Sequence, residues 1–422
     1  MEELEVKYLI IGAGISGLTF ANYLNDKEYL IVEKDDRVGG YCKTTINGEY
    51  VWDYAGHFYH FKTDEMKQLF KELMSEEEIV NQKKNTKIYY KGKYIDYPFQ
   101  TNIHQLDKEE FIDCLYDLFN KTEKEQYDSF LDMLYGKFGK SIVEKFLKPY
   151  NEKLYACDLN KLDKNAMGRF FPYAEIKQII NNMKESNNSS YNNTFLYPKK
   201  GAERFIQKLY EKLDKDKIKL LTTIKEVDVD NHIAYTDKNQ KIKYKYLINT
   251  SPMNKFLNVL NRKEDLDLLD KLSYNKVLVF NLGFEKGCLN KEHWIYLPEK
   301  QYNFYRIGFY NNILEEEKTS MYIEIGFSKN DEIDVEKQLQ LTLENLKKIN
   351  IISDDNRLVA YETIIMDPAY VHIEEETSKL IKQHVEDLNN SDIYSIGRYG
   401  AWTYCSMEDA MIDAKELANE LL

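Results

Sequence analysis

One glycine motif constrains the fold of this chain more than any other feature. The spacing Gly12-x-Gly14-x-x-Gly17 follows an apolar run at residues 8–11 and precedes a helical pattern. In this context the first glycine allows a tight turn, the second lets the backbone approach a pyrophosphate, and the third packs the helix closely on the strand. Free N–H groups at the start of the helix then face the phosphates. The motif therefore predicts a βαβ dinucleotide-binding unit.

The residues that follow this unit narrow the dinucleotide to FAD. A second apolar run ends in Glu33, 19 residues after Gly14, where a carboxylate can accept hydrogen bonds from ribose hydroxyls. A further turn, Arg37-x-Gly39-Gly40, comes directly afterwards. This addition resembles the FAD-binding flavoproteins of the glutathione-reductase and amine-oxidase type. The predicted cofactor-binding residues in this region are Gly12, Gly14, Gly17, Glu33, Arg37, Gly39 and Gly40.

Composition argues against several classes of partner. The 422 residues are too many for one hydrophobic core, and the formal net charge of −13 disfavours nucleic acid or an anionic membrane surface. No stretch of 18 apolar residues is present, and the acidic N-terminus leads directly into the first strand, so we expect neither a membrane span nor a signal peptide. The five cysteines have no metal-binding spacing, which predicts reduced thiols in a cytoplasmic protein and no metal site.

Hydrophobic periodicity divides the chain into three parts. It predicts an α/β protein with a Rossmann-type FAD-binding domain, a helical insertion and a mostly antiparallel substrate sheet. The predicted boundaries are residues 1–103, 195–257 and 390–422 for the FAD-binding domain, 104–194 for the helical domain and 258–389 for the substrate domain. A polar segment at 186–194 is predicted to be a mobile loop.

The last helix begins with a recognisable cap. Ser406-x-x-Asp409 fits a capping box, in which the two side chains bond each other's backbone N–H groups. A helix N-terminus aimed at a flavin would stabilise negative charge on its reduced ring. An ordinary capped terminal helix explains the pattern equally well, and the sequence leaves both interpretations open.

Arginine is scarce, at seven residues among 58 Lys and Arg. Because lysine can supply surface charge, the few arginines are candidates for sites that need a rigid bidentate fork. Arg169 lies beside the helical part and Arg306 on the predicted substrate sheet, and together they predict a clamp for an anionic substrate. Surface ion pairs are the competing interpretation.

The motifs taken in chain order resemble the UDP-galactopyranose mutase family. They are GAGISG, DRVGG, YAGHFYHF, DYPF, KPYNEKLYA, GRFFPY, YPKKGAERF, FYRIGFY and GRYGAWTYCSMEDA, and they span most of the chain. The resemblance implies an FAD-dependent isomerase that interconverts pyranose and furanose forms of a UDP-galactose-like nucleotide sugar for cell-surface polysaccharide synthesis. It also implies that N5 of reduced flavin attacks the anomeric carbon, with NAD(P)H or another reductant as electron source.

The same resemblance implies roles for individual residues. His57, His60 and Arg306 would be catalytic, with both histidines facing the flavin. Gly397 and Arg398 would lie beside the cofactor. The substrate-binding residues would be Arg169 and Arg306 at the diphosphate, Tyr155 near the base, and Tyr370 and Tyr404 at the sugar. The chain departs from the family in two places: Tyr155 stands where a tryptophan is more common, and PYAEIKQ follows Arg169 where bacterial members usually carry a further arginine.

Two other functions share the same nucleotide motifs. An amine-oxidase or protoporphyrinogen-oxidase type of oxidase or desaturase would have an apolar tunnel at the flavin and no phosphate clamp. A non-catalytic flavin-binding partner protein is the third interpretation, and the intact N-terminal motif argues against it. The sequence leaves both a monomer and a homo-oligomer open.

Overall fold

The computed structural model describes residues 2–24, 28–184, 193–260 and 262–422. The strands are β1 (Glu2–Ile11), β2 (Tyr29–Val32), β3 (Thr44–Asn47), β4 (Tyr50–Asp53), β5 (Ile79–Lys83), β6 (Thr86–Tyr90), β7 (Lys93–Asp96), β8 (Thr194–Pro198), β9 (Ile218–Lys219), β10 (Ile224–Asp228), β11 (Ile233–Thr236), β12 (Gln240–Asn249), β13 (Asn275–Phe284), β14 (Trp294–Tyr296), β15 (Arg306–Phe309), β16 (Ser320–Ser328), β17 (Leu358–Met366) and β18 (Ile393–Ser395). The helices are α1 (Ile15–Tyr23), α2 (Asp64–Leu73), α3 (Lys108–Phe119), α4 (Phe130–Ile142), α5 (Lys148–Tyr155), α6 (Ile176–Lys184), α7 (Glu203–Glu211), α8 (Met253–Leu260), α9 (Lys263–Leu269), α10 (Tyr310–Leu314), α11 (Val335–Lys348), α12 (Glu375–Asn389), α13 (Gly397–Gly400) and α14 (Met407–Glu420).

The first sheet is built around β1. Tyr8, Leu9 and Ile10 are fully buried, as expected for a strand with helices on both faces. Strand β1 pairs in parallel with β2 on one side and with β12 on the other, and β18 extends the sheet in parallel from β12. Helix α1 packs on the C-terminal helix α14, so the end of the chain returns to its beginning. This arrangement confirms the Rossmann-type fold.

The second sheet has the strand order β17-β13-β16-β15-β14-β6-β7. All its pairings are antiparallel except the one between β14 and β6, which confirms a mostly antiparallel substrate sheet. Its side chains alternate between two faces. Phe280, Ile307 and Ile323 pack in a core beneath α11, whereas Tyr322 and Glu324 point towards the first sheet.

Two features bear on the predicted domain boundaries. The hairpin β6–β7, at residues 86–96, joins the second sheet through β14, although it lies within the predicted FAD-binding segment 1–103. Helices α3 to α6 form the helical part between residues 108 and 184. Of the predicted mobile loop at 186–194, residues 186–192 lie outside the described residues. The division into three domains stays a prediction.

Candidate active site

A cavity of about 670 Å³ lies between the two sheets. One end is formed by the carboxyl ends of β1 and β2 and by the turn after β12, which is where open α/β sheets bind nucleotides. The other end is formed by side chains of β14, β15 and β16, together with segments near residues 370 and 404. We call the first the nucleotide end and the second the sheet end of the cavity.

The glycine motif forms the nucleotide end through its backbone. Gly12 has a φ of +102°, which a side chain would strain, and a Cβ on Gly17 would lie 2.1 Å from the carbonyl oxygen of Gly12. Gly14 has an ordinary φ of −81°, and a Cβ there would meet only Gly40 Cα at 3.9 Å. Gly12 and Gly17 are therefore needed by the fold itself, while Gly14 keeps space open in the cavity.

Glu33 directly follows β2 and is 5% exposed at the same end of the cavity. Its carboxylate accepts hydrogen bonds from the backbone N–H of Ala13 at 2.7 Å and of Asp35 at 2.9 Å. Each carboxylate oxygen can accept more than one hydrogen bond, so the group retains acceptor capacity for ribose hydroxyls. The geometry fits the role expected of Glu33.

The second glycine turn closes over the first. Gly39 has a φ of +128° and donates its N–H to the carbonyl of Ala13 at 2.9 Å, and both Gly39 and Gly40 line the cavity. Arg37 does not line it. Its guanidinium pairs with Glu203 at 2.7 Å and donates to the carbonyl of Thr44 at 3.0 Å. Arg37 therefore forms an ion pair with the first residue of α7 and does not lie beside the cavity.

His57 and His60 line the cavity between its two ends. Nδ1 of His57 lies 3.2 Å from the carbonyl oxygen of Ala55, and Nδ1 of His60 lies 3.1 Å from that of Thr194. A carbonyl can only accept, so each Nδ1 carries the proton and each Nε2 is left as an acceptor. Burial lowers the pKa of both histidines to about 4. Both rings are therefore neutral at pH 7.

Arg306 begins β15 and reaches the sheet end of the cavity. Glu324 is its register partner on β16, and Nε of Arg306 donates to this carboxylate at 3.0 Å. The hydroxyl of Tyr305 donates to the same oxygen at 2.6 Å. Glu324 is 1% exposed, and its other oxygen has no hydrogen-bond partner among the described residues. The pair therefore presents a fixed cation at the sheet end of the cavity.

Tyr370, Tyr404 and Arg398 form an aromatic and cationic wall next to Arg306. The two tyrosine rings stack at 6.0 Å with an interplanar angle of 19°, and the guanidinium carbon of Arg398 lies 4.5 Å from the Tyr404 ring. Arg398 also donates to the carbonyl of Cys405 at 3.2 Å. Gly397, with a φ of +76°, does not line the cavity. A Cβ there would lie 2.2 Å from Ser16 Oγ at the start of α1.

Arg169 and Tyr155 lie behind the cavity wall. Arg169 bonds the Asp409 carboxylate, and its guanidinium carbon lies 4.5 Å from the ring of Phe170, which does line the cavity. Tyr155 is 1% exposed in the helical core and packs on Tyr370 at 5.9 Å. The structure therefore brings Arg306, Tyr370 and Tyr404 together and leaves the other two predicted substrate residues one side chain away.

The N-terminus of α14 also reaches the cavity. The predicted capping box is present: Ser406 Oγ accepts from the Asp409 N–H at 3.1 Å, and the Asp409 carboxylate accepts from the Ser406 N–H at 2.8 Å. Ser406, Met407 and Glu408 line the cavity. The helix N-terminus therefore faces a space in which it can stabilise negative charge.

Several residues of the sheet end were not predicted from the sequence. They are Lys84, Trp294, Tyr296, Tyr322 and Glu324. Glu324 had a detectable signal, since a lone acid inside the apolar strand YIEIGF is costly unless it is paired. No sequence signal distinguished Lys84, because it is one of several lysines in the stretch NQKKNTK.

Two other kinds of feature are absent from the residues that the structure describes. No group of three or more His, Cys, Asp or Glu side chains in this part of the chain is arranged to hold a metal ion. Within the same ranges, no helix is both long enough and apolar enough to cross a bilayer.

Comparison with known proteins identifies relatives across the whole chain. Residues 15–422 match the family described as flavin containing amine oxidoreductase. The fold is similar to that of reduced UDP-galactopyranose mutase, with a TM-score of 0.93 and 23% identity over 99% of this chain and 93% of that one. A structure from Exiguobacterium sp. named after protoporphyrinogen oxidase has a TM-score of 0.78 and 18% identity over 99% and 98% of the two chains. A variant of putrescine oxidase has a TM-score of 0.70 and 13% identity over 99% of each chain.

Proposed function

Because the chain belongs to the flavin containing amine oxidoreductase family, we propose that it is an FAD-dependent sugar-nucleotide mutase. It would interconvert pyranose and furanose forms of a UDP-galactose-like substrate and supply a furanose donor for cell-surface polysaccharide synthesis. One observation carries the proposal: the cavity that begins at the dinucleotide turn ends at Arg306, a cation held by Glu324. A nucleotide sugar brings a diphosphate, which needs such a cation.

The nucleotide end fits FAD. Gly14 and Gly40 face each other without side chains, so a pyrophosphate can approach the backbone where α1 begins. Glu33, which directly follows β2 and lines this end, would accept hydrogen bonds from ribose hydroxyls. When bound and reduced, FAD would supply a nucleophilic nitrogen for the anomeric carbon in an isomerisation with no net redox change.

Arg306 would hold the diphosphate during the reaction. A leaving diphosphate has to remain in place until the sugar ring closes again, and a preorganised cation provides that stabilisation. Glu324 accepts from the guanidinium of Arg306, and Tyr305 in turn donates its hydroxyl to the same carboxylate oxygen.

The aromatic wall and the histidines would shape the sugar pocket. Tyr370 and Tyr404 present ring faces and hydroxyl groups to the cavity, which suits a sugar with both apolar C–H and polar O–H groups. His57 is neutral because burial lowers its pKa to about 4, so at pH 7 it serves as a hydrogen-bond acceptor through Nε2 rather than as an acid.

An oxidase of the amine-oxidase type is the second candidate function. The aromatic walls provided by Trp294, Tyr296 and Tyr322 favour it, since an oxidase uses such walls around an organic substrate. The ion pair at the sheet end favours the mutase, because an apolar substrate would leave Arg306 and Glu324 without a role.

One experiment separates the two functions. The purified protein would be reduced with dithionite and incubated with UDP-galactopyranose and other nucleotide sugars, and the products would be separated by chromatography. We expect a furanose product that forms only with the reduced enzyme. The opposite outcome is a yellow protein that gives no new sugar but reoxidises in air and releases peroxide with an amine or porphyrinogen substrate. That result would show an oxidase and contradict the mutase.

A further inference from the structure

Lys84 is a cation in the cavity wall for which the sequence offers no function. It stands between β5 and β6, and its backbone N–H donates to the carbonyl of Asn193 at 2.8 Å. The side chain lies along aromatic rings, with Nζ 4.9 Å from the ring centre of Tyr97 and 5.9 Å from that of Trp294. Both contacts position the ammonium group at the sheet end of the cavity.

The described part of the chain provides no negative charge to balance the ammonium group of Lys84. No Asp or Glu among the described residues forms an ion pair with it. Burial, and then the nearby guanidinium of Arg306, lower the pKa of the Lys84 ammonium to about 8. A desolvated cation next to a second cation is unfavourable by itself. An anion in the cavity would reverse this effect.

The other cations of the sheet end differ in how they are balanced. Arg306 is neutralised by Glu324, whereas Arg398 bonds a carbonyl and stacks on tyrosines without an ion pair to any described carboxylate. Lys84 and Arg398 are therefore two cations of the cavity without an ion pair to a described carboxylate. Because Arg398 is expected beside the cofactor, Lys84 is the cation that remains for the negatively charged diphosphate of a nucleotide sugar.

We propose that Lys84 binds the diphosphate of the substrate together with Arg306. The inference rests on the proposed function and names a further substrate-binding residue for it. Arg306 offers a rigid fork, and Lys84 offers a point charge with three donors on a flexible stem. Lys84 would supply the second cation that the sequence predicted at Arg169, whose guanidinium pairs with Asp409 and does not line the cavity.

The test compares two neighbouring lysines in the FAD-loaded protein. Lys84→Met removes the ammonium group and keeps an unbranched apolar stem against Tyr97 and Trp294. Lys84→Arg keeps the charge. Lys83→Met is the matched control, because Lys83 is exposed at the end of β5. Binding of UDP and of inorganic pyrophosphate is measured by calorimetry, and FAD content and melting temperature are recorded for every variant.

We expect Lys84→Met to weaken binding of both probes by about tenfold or more, as for loss of a charged partner in a desolvated site. Lys84→Arg should stay within about threefold of the parent protein and Lys83→Met within about twofold, since the charge is kept in one and lies outside the cavity in the other. FAD content should be the same in all four proteins.

The remaining outcomes distinguish this inference from the function on which it rests. If the parent protein binds UDP and Lys84→Met binds it equally well, the role of Lys84 is wrong and the proposed function stands. If the parent binds pyrophosphate but not UDP, the uridine nucleotide is wrong, and the pyrophosphate titration still decides the role of Lys84. If it binds neither probe, both proposals fail.

Discussion

The two ends of the cavity are built in different ways. The nucleotide end consists mainly of backbone groups from residues 11–40, where glycines keep space open and Glu33 and Asp35 line the cavity. The sheet end consists of side chains from remote segments, with Arg306 held by Glu324 and walled by Tyr370 and Tyr404. A backbone site recognises what all FAD proteins share, whereas a side-chain site can be changed residue by residue. This difference suggests that cofactor and substrate binding can be disrupted separately.

The largest effect is expected at the nucleotide end. Gly14→Val should yield folded protein without FAD, because its φ of −81° suits valine while the side chain would occupy the approach of the pyrophosphate. Gly17→Val is the contrasting variant. It should fail to fold, since its Cβ would lie 2.1 Å from the carbonyl of Gly12. Visible absorbance measures the FAD content and circular dichroism measures folding. A yellow Gly14→Val protein would contradict the prediction that the pyrophosphate of FAD approaches the backbone at Gly14.

The next largest effect is expected at the sheet end. Arg306→Ala should leave FAD content intact and weaken nucleotide-sugar binding by about 2 kcal/mol or more, because a desolvated charge partner is lost. Arg357→Ala is the matched control, since Arg357 also pairs with a glutamate but is exposed at the surface. Calorimetry on both variants gives the comparison.

Arg306→Ala also leaves Glu324 buried without its counter-ion. The double variant Arg306→Ala with Glu324→Gln removes that charge, so its stability separates a folding defect from lost binding. Unchanged binding in Arg306→Ala would end the assignment of Arg306 to the diphosphate.

A smaller effect concerns the segment between the two ends. Burial lowers the pKa of His57 from its ordinary value of 6.5 to about 4, so the folded protein binds fewer protons than the unfolded chain between these values. Stability should therefore fall as the pH drops from 6.5 towards 4. His57→Gln should reduce this loss by about 1 kcal/mol after allowance for partial exposure to solvent. Urea unfolding of both proteins at pH 7 and pH 4.5 measures the difference, and equal pH dependence would show that the ring is solvated.

The smallest effect is expected from Arg169. Its guanidinium is half-buried beside Asp409, behind the wall of the sheet end. Arg169→Ala should weaken nucleotide-sugar binding by less than about 1 kcal/mol, the usual worth of a partly exposed ion pair. A loss as large as that of Arg306→Ala would restore the two-arginine clamp and place the substrate closer to α14.

The contrast between the two ends also explains which parts of the fold and of the cavity could be predicted from the sequence. The glycine spacing and Glu33 lie within 35 residues of each other, and their function depends on local backbone geometry. Alternation of apolar residues was sufficient to predict a mostly antiparallel second sheet. It was not sufficient to assign the hairpin at residues 86–96, because a strand's pattern does not reveal its neighbour.

The sequence by itself determined the dinucleotide turn, the α/β class and the candidate set of scarce arginines, because these depend on short-range geometry and composition. The tertiary structure decided which of those residues share a cavity. Arg306 faces the cavity where β15 pairs in register with β16 and brings it beside Glu324, whereas Arg169 pairs with Asp409 and does not line the cavity. Lys84 lines the same cavity just before β6, which pairs with β14 of the second sheet. Contacts between residues far apart in the chain depend on how the sheets pack, and no local pattern encodes that packing.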